Sequence, residues 1–99
     1  MNLKINLSFV QFNPKFGDVD YNLSKACTLI SKSKSGIIVL PELMSTGYNF
    51  KNKIEVSNLS ESARNGWTRS FLIDRSLAMN STIVAGFCEK SNNRYYNSA

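Results

Sequence analysis

Glu42 is the residue of this chain whose surroundings could do chemistry. It stands in the run Gly36-Ile37-Ile38-Val39-Leu40-Pro41-Glu42-Leu43-Met44-Ser45-Thr46-Gly47-Tyr48. Four consecutive branched apolar residues, Ile37 to Leu40, lie between a glycine and a proline, which fits a short strand buried on both faces. Pro41 has no N–H to give a ladder, so pairing ends there and Glu42 arrives just past the strand's carboxyl end, where open α/β sheets place their ligands. Wedged between Leu40-Pro41 and Leu43-Met44, its carboxyl is expected to be partly desolvated, which raises the pKa and suits it to proton transfer. The same carboxylate could instead cap a loop or pair with a surface lysine, and residue chemistry leaves both readings open.

The two cysteines offer less. Cys27 falls on the apolar stripe of a helix, where a thiol is a small hydrophobe. Cys88 ends a buried strand and could reach the same rim as Glu42, but nothing nearby in sequence supplies a base or an oxyanion nest. Two cysteines so far apart form no disulfide framework, and with no histidine in the chain a zinc site is short of ligands. No metal is expected.

The elements that must position Glu42 are legible around it. Leu3, Ile5, Leu7 and Phe9 alternate with Asn2, Lys4, Asn6 and Ser8, the period of a first strand, with the far end better covered from Val10. Asn13-Pro14-Lys15-Phe16-Gly17 reads as a turn with Gly17 at positive φ. A dinucleotide-binding unit would need several glycines here, so a nucleotide-binding α/β domain is disfavoured. With Asp18 or Asp20 as N-cap, Val19, Leu23, Ala26, Cys27 and Ile30 share one face of a helix that runs to about Lys34, with Gly36 beyond its end. The short return into Ile37 predicts two parallel strands.

Lys51 to Leu59 is polar without a clear period and reads as a surface excursion. A second helix starts between Ser60 and Asn65, with Ala63, Trp67, Phe71 and Ala78 on one side, flanked by Leu72, Leu77 and Met79, and with Trp67 and Phe71 in the core. Thr82 to Cys88 predicts a third buried strand, with Gly86 at a bulge or close packing. After a turn at Ser91-Asn92-Asn93, Arg94 to Ala99 begins a fourth strand.

Composition is that of a globular protein: 99 residues, 42% hydrophobic and 19% charged, room for one domain at most. The net charge of +5, from 12 basic and 7 acidic residues, is scattered from Lys4 to Arg94. The densest run, Lys32-Ser33-Lys34, sits where cations complement a helix end. No basic stripe interleaved with aromatics appears, so nucleic acid is not an expected partner. No span long enough for a bilayer and no leader is seen, which places the chain in the cytoplasm with no membrane partner.

Five segments in series then carry a resemblance. Val10-Gln11-Phe12-Asn13, Gly17-Asp18-Val19-Asp20-Tyr21-Asn22-Leu23, Ile38-Val39-Leu40-Pro41-Glu42 with Thr46-Gly47-Tyr48, Ile83-Val84-Ala85-Gly86-Phe87, and Tyr95-Tyr96-Asn97-Ser98-Ala99 resemble the amino-terminal part of the nitrilase, or carbon-nitrogen hydrolase, superfamily. The resemblance implies an α/β fold, residues 1–99 being an incomplete, amino-terminal part of a four-layer α-β-β-α sandwich. It implies hydrolysis of a non-peptide C–N bond in a small-molecule amide or nitrile, most nearly a small carboxamide, by glutamate, lysine and cysteine, without metal or organic cofactor. The complete protein is expected to be a homo-oligomer.

On the matching motif Glu42 takes the role of general base, and Tyr48 that of a substrate-pocket residue, or of a Tyr packed behind the Gly47 turn. The family's lysine and nucleophilic cysteine are expected beyond Ala99. Neither Lys51 nor Cys88 stands in the matching motif, so the 99-residue chain alone is expected to be inactive. Tyr96 and Asn97 read as structural. The rival reading is a short non-catalytic binding module built on the half-sandwich.

Overall fold

The computed structural model describes residues 3–99, so Asn2 of the first alternating run lies outside the described residues. The elements follow in the order β1 (Leu7–Phe9), α1 (Val19–Ile30), β2 (Ile37–Val39), α2 (Lys53–Leu59), α3 (Trp67–Met79), β3 (Thr82–Val84), β4 (Phe87–Ser91) and β5 (Arg94–Ser98). β1, β2 and β3 form a parallel sheet in that order, with Ile38 opposite both Ser8 and Ile83. Each crossover advances the sheet in the same direction, and right-handed crossovers then put α1 and α3 on one face, where they meet. Between helices and sheet lies the core of Val10, Ala26, Ile30, Ile38, Leu40, Met44 and Ala85, with Leu23, Phe71, Leu72, Met79 and Ile83 packed against it. One helical and one sheet layer are thus present, the first half of the expected sandwich. Among the described residues no helix is long and apolar enough to cross a membrane.

Several expectations shift by a turn or a residue. The first strand is shorter than its alternating run, and its apolar face is the open one: Leu7 and Phe9 are 58% and 76% exposed while Val10 is buried. For the same reason Ile37 and Val39 are only half-buried, and of the β2 strand residues Ile38 alone is fully enclosed. α1 is capped by Asp18, whose carboxylate accepts from the Tyr21 N–H at 3.1 Å, and Gly17 takes φ +75°. It ends at Ile30, short of Lys34, because Ser31 and Ser33 turn their hydroxyls onto the Thr28 and Leu29 carbonyls in place of further helical bonds. Its fully buried face is Asn22, Ala26 and Ile30, with Cys27 half-buried against the Arg75 guanidinium at its edge.

The polar excursion contains α2. Asn52 accepts from the Glu55 N–H at 2.9 Å and Glu55 accepts from the Lys51 N–H at 2.8 Å, a reciprocal cap with little buried apolar surface behind it. α3 is rotated by one residue from its expected face: Thr68 is buried, Phe71, Leu72 and Met79 pack inward, and Trp67 remains 39% exposed. The run Thr82 to Cys88 is not one strand. It breaks at Ala85-Gly86, and its second part pairs with β5 as an antiparallel hairpin. The hairpin turns on Asn92 and Asn93, both at positive φ, the conformation two-residue hairpin loops require.

Candidate active site

Glu42 sits at the carboxyl end of the central strand, in a turn that the rest of the fold holds from four sides. Leu40 N–H donates to Val84 C=O at 2.8 Å, the last regular bond of the sheet, after which Met44 N–H donates to Gly86 C=O at 3.2 Å. That second bond needs the two backbones to touch. A Cβ on Gly86 would lie 2.9 Å from the Leu43 nitrogen and 3.0 Å from the Glu42 Cα, so only glycine lets the turn close, and this close approach is what ends β3. From the α1 side, the Asn22 amide donates to Ser45 C=O at 2.9 Å. From the loop after β1, Gly17 N–H donates to Thr46 C=O at 2.8 Å.

Inside the turn Leu43 adopts φ +47°, a left-handed conformation that costs a leucine about 1–2 kcal/mol. The bend drives Leu43 and Met44 into the interior and turns Glu42 out. The desolvated setting expected from its apolar neighbours is therefore not found: the Glu42 side chain is exposed, while Leu40, Leu43 and Met44 are buried. Among the described residues its hydrogen-bond partner is neither a loop N–H nor a lysine. The side-chain amide of Asn97, on β5, donates to Oε1 at 2.6 Å and leaves Oε2 free to accept a proton. The sequence predicts only a structural place for Asn97 on the last strand. Its place was legible in principle, since a two-residue turn at Asn92-Asn93 puts Asn97 directly opposite Cys88, at the rim already assigned to Glu42.

Glu42 lines two adjoining open depressions. One, of about 380 Å³, is bounded by Gln11, Phe12, Asn13, Pro14, Pro41 and Tyr48. The other, of about 370 Å³, runs along Leu40, Val84, Gly86 and Asn97. Tyr48 is 64% exposed and borders the first, while Phe16, not Tyr48, packs behind the Gly47 turn. Lys51 is an exposed residue whose backbone caps α2. Cys88 is buried, and burial followed by the nearby charge of Glu61 pushes its thiol above the ordinary cysteine value. A thiol so placed stays protonated and is a poor nucleophile.

The residue that sequence reading passed over is Glu61. It is 4% exposed and serves as a remote cap for α3, whose own N-cap position is Gly66. Oε1 accepts from the Thr68 N–H at 2.7 Å, and Oε2 lies 2.6 Å from the Thr68 hydroxyl. That hydroxyl is also 2.9 Å from the hydroxyl of Ser45, which is fully buried in the Glu42 turn. Burial raises the Glu61 carboxyl above its ordinary 4.5, and hydrogen bonds from Thr68, Arg69 and Trp67 pull against that rise.

A pH dependence follows. Between 4.5 and the raised value, folded Glu61 keeps a proton that the unfolded chain has lost. The stability it contributes is complete below 4.5 and is lost as pH rises through the folded value. Thermal melts stepped upward from pH 4.5 should show the parent losing stability relative to Glu61→Gln, which cannot ionise. Parallel curves would mean that Glu61 titrates normally.

The carbon-nitrogen hydrolase family model matches residues 6–99. A nitrilase from Pyrococcus abyssi (strain GE5 / Orsay) is 41% identical over 98 residues, covering 96% of this chain and 37% of its own length. Among solved structures, an N-terminal amidase with an Asn-Glu peptide matches with a TM-score of 0.82 at 23% identity, over 90% of this chain and 23% of that one. A CN-hydrolase superfamily protein from Xanthomonas campestris, with an arsenic adduct in its active site, matches with a TM-score of 0.77 at 18% identity, over 94% of this chain and 34% of its own. The chain therefore spans little more than a third of the Pyrococcus relative. The two structural matches speak for the α/β fold of the amino-terminal portion.

Proposed function

Because the chain belongs to the carbon-nitrogen hydrolase family, we propose that it supplies the general-base portion of an enzyme that hydrolyses the C–N bond of a small carboxamide. The observation that carries this reading is the state of Glu42: a carboxylate at the carboxyl end of the central parallel strand, open to a cavity of about 380 Å³, with one oxygen held by Asn97 and the other free. A general base needs that combination of fixed orientation and a vacant lone pair.

In the proposed reaction a cysteine from the remaining part of the enzyme attacks the amide carbon while Oε2 of Glu42 takes the thiol proton. A lysine stabilises the oxyanion. Collapse of the tetrahedral intermediate breaks the C–N bond, and Glu42 returns the proton to the departing ammonia. Water, deprotonated by the same carboxylate, then attacks the thioester carbon; the C–S bond breaks, the acid leaves, and Glu42 returns the proton to the cysteine sulfur, which restores the starting thiol and carboxylate. Tyr48, on the cavity rim, contacts the substrate. Cys27 and Cys88 take no part, and the 99-residue chain alone has no turnover.

Ammonia release tests this directly. The enzyme carrying the whole hydrolase domain is assayed against small carboxamides, the corresponding nitriles and peptides with amino-terminal Asn or Gln, beside the 99-residue chain. Release from carboxamides by the former and none by the latter is the expected result. Turnover by the 99-residue chain would overturn the assignment of the nucleophile elsewhere, and turnover of nitriles alone would overturn the amide.

A further inference from the structure

We infer that Glu61 is a positioning residue for Glu42: one buried carboxylate ties together the turn that carries Glu42 and the hairpin that brings Asn97 to it. The inference rests on the reading of Glu42 as the base. Two separate sets of bonds lead outward from Glu61. Through its side chain the path runs to the Thr68 hydroxyl at 2.6 Å and on to the Ser45 hydroxyl at 2.9 Å, three residues past Glu42 in the same turn. Through its backbone, Glu61 N–H donates to Cys88 C=O at 3.0 Å and Glu61 C=O accepts from Lys90 N–H at 2.9 Å, so that Glu61 pairs with the free edge of β4. β4 pairs on its other edge with β5, where Asn97 lies opposite Cys88 and reaches Oε1 of Glu42. The two paths leave one residue, and one ends in the turn that carries Glu42 while the other ends on its carboxylate.

The side-chain path is also closed to water. Glu61, Thr68 and Ser45 are 4%, 1% and 0% exposed, so no solvent molecule substitutes for a lost member and the unmatched partner stays unmatched. Thr68 has a single hydroxyl proton and two oxygen neighbours, so the chain has a definite direction: when Thr68 donates to Glu61, Ser45 donates to Thr68. Gly66 completes the clamp, since a Cβ there would run into the Glu61 carboxylate. Small displacements of a general base are costly to rate, so a residue that fixes it acts on kcat without touching substrate.

Thr68→Val is the sharpest test, because it keeps the volume and the backbone cap on Glu61 Oε1 and removes the one hydroxyl through which Glu61 Oε2 reaches Ser45. In the enzyme carrying the whole hydrolase domain it should lower kcat about tenfold with KM within about twofold, and Thr68→Ser should restore the rate. In the 99-residue chain, Glu61→Ala should move the Asn97 side-chain amide resonance toward that of a solvated amide. A Thr68→Val kcat within twofold of the parent, an equal fall in Thr68→Ser, or an unmoved Asn97 resonance in Glu61→Ala would each overturn the inference. Activity surviving in Glu42→Gln would remove the base reading instead, and the Asn97 resonance would still decide the positioning.

Discussion

Glu42→Gln, in the enzyme carrying the whole hydrolase domain, is expected to reduce kcat about 1,000-fold and to abolish the thioester intermediate while leaving the melting temperature nearly unchanged. The fold should not notice the change. Glutamine keeps the volume, its side-chain carbonyl accepts from Asn97 as Oε1 does, and the turn is held by Ser45, Thr46, Met44 and their partners and not by the Glu42 side chain. What disappears is the free lone pair of Oε2 in a basic group. The measurement is a quench-flow assay of acylated enzyme beside a thermal melt. A variant that acylates within tenfold of the parent rate would remove Glu42 from the mechanism, and one that melts far lower would show a structural role as well.

The second large effect concerns stability. Gly36→Ala should cost about 3–5 kcal/mol, a large share of the roughly 5–15 kcal/mol that a chain of this size has in hand. Gly36 sits at φ +148°, where an L-residue is strained, and a Cβ would collide with the backbone carbonyl of Asn6. That carbonyl accepts from Ile37 N–H at 2.9 Å, while Gly36 C=O accepts from Thr82 N–H at 2.9 Å, so the collision falls where all three parallel strands enter the sheet. Gly17→Ala provides the contrast: its φ is +75°, but its Cβ would meet nothing closer than Leu59 at 3.8 Å. It should cost about 1 kcal/mol, from backbone strain alone. Urea titrations of the two variants separate strain from collision. Equal losses would mean that the Asn6 backbone moves aside without penalty.

Sequence made Glu42 visible because its neighbours carry unambiguous signals: a branched apolar run, then a proline. The parallel strands, the capped first helix and the hairpin turn were legible for the same reason, each resting on local preference. What was illegible shares a different character. Asn22, Ser45, Glu61 and Thr68 are polar residues buried because they satisfy one another across 23 or 7 residues of chain, and a pattern reader assigns polar residues to solvent. That habit left Asn22 off the buried face of α1, where Leu23, Ala26 and Ile30 do pack inward as expected, and rotated the face of α3 by one residue. It also kept Trp67 in the core, although the structure gives the inward place to Thr68. The break at Ala85-Gly86 escaped because a β-branched run marks a strand but not where another segment will cut its pairing. The exposure of Glu42 follows from the left-handed Leu43, which no propensity predicts.

The Asn22 amide does more than support the turn. Its Oδ1 accepts from Lys15 N–H at 2.8 Å, and its Nδ2 donates to Lys15 C=O at 2.8 Å and Ser45 C=O at 2.9 Å. Lys15 follows β1 and Ser45 follows β2, so one rigid group gauges the distance between the exits of two neighbouring strands. Those strands are three residues long, too short for their own ladder to reject a misaligned partner. A slip of one residue would displace one exit by about 3.3 Å and strand a buried amide without its acceptor, at roughly 1–3 kcal/mol. Asn22 thereby proofreads the alignment of the sheet from outside it, and favours the pairing that sets Glu42 at the carboxyl end of β2.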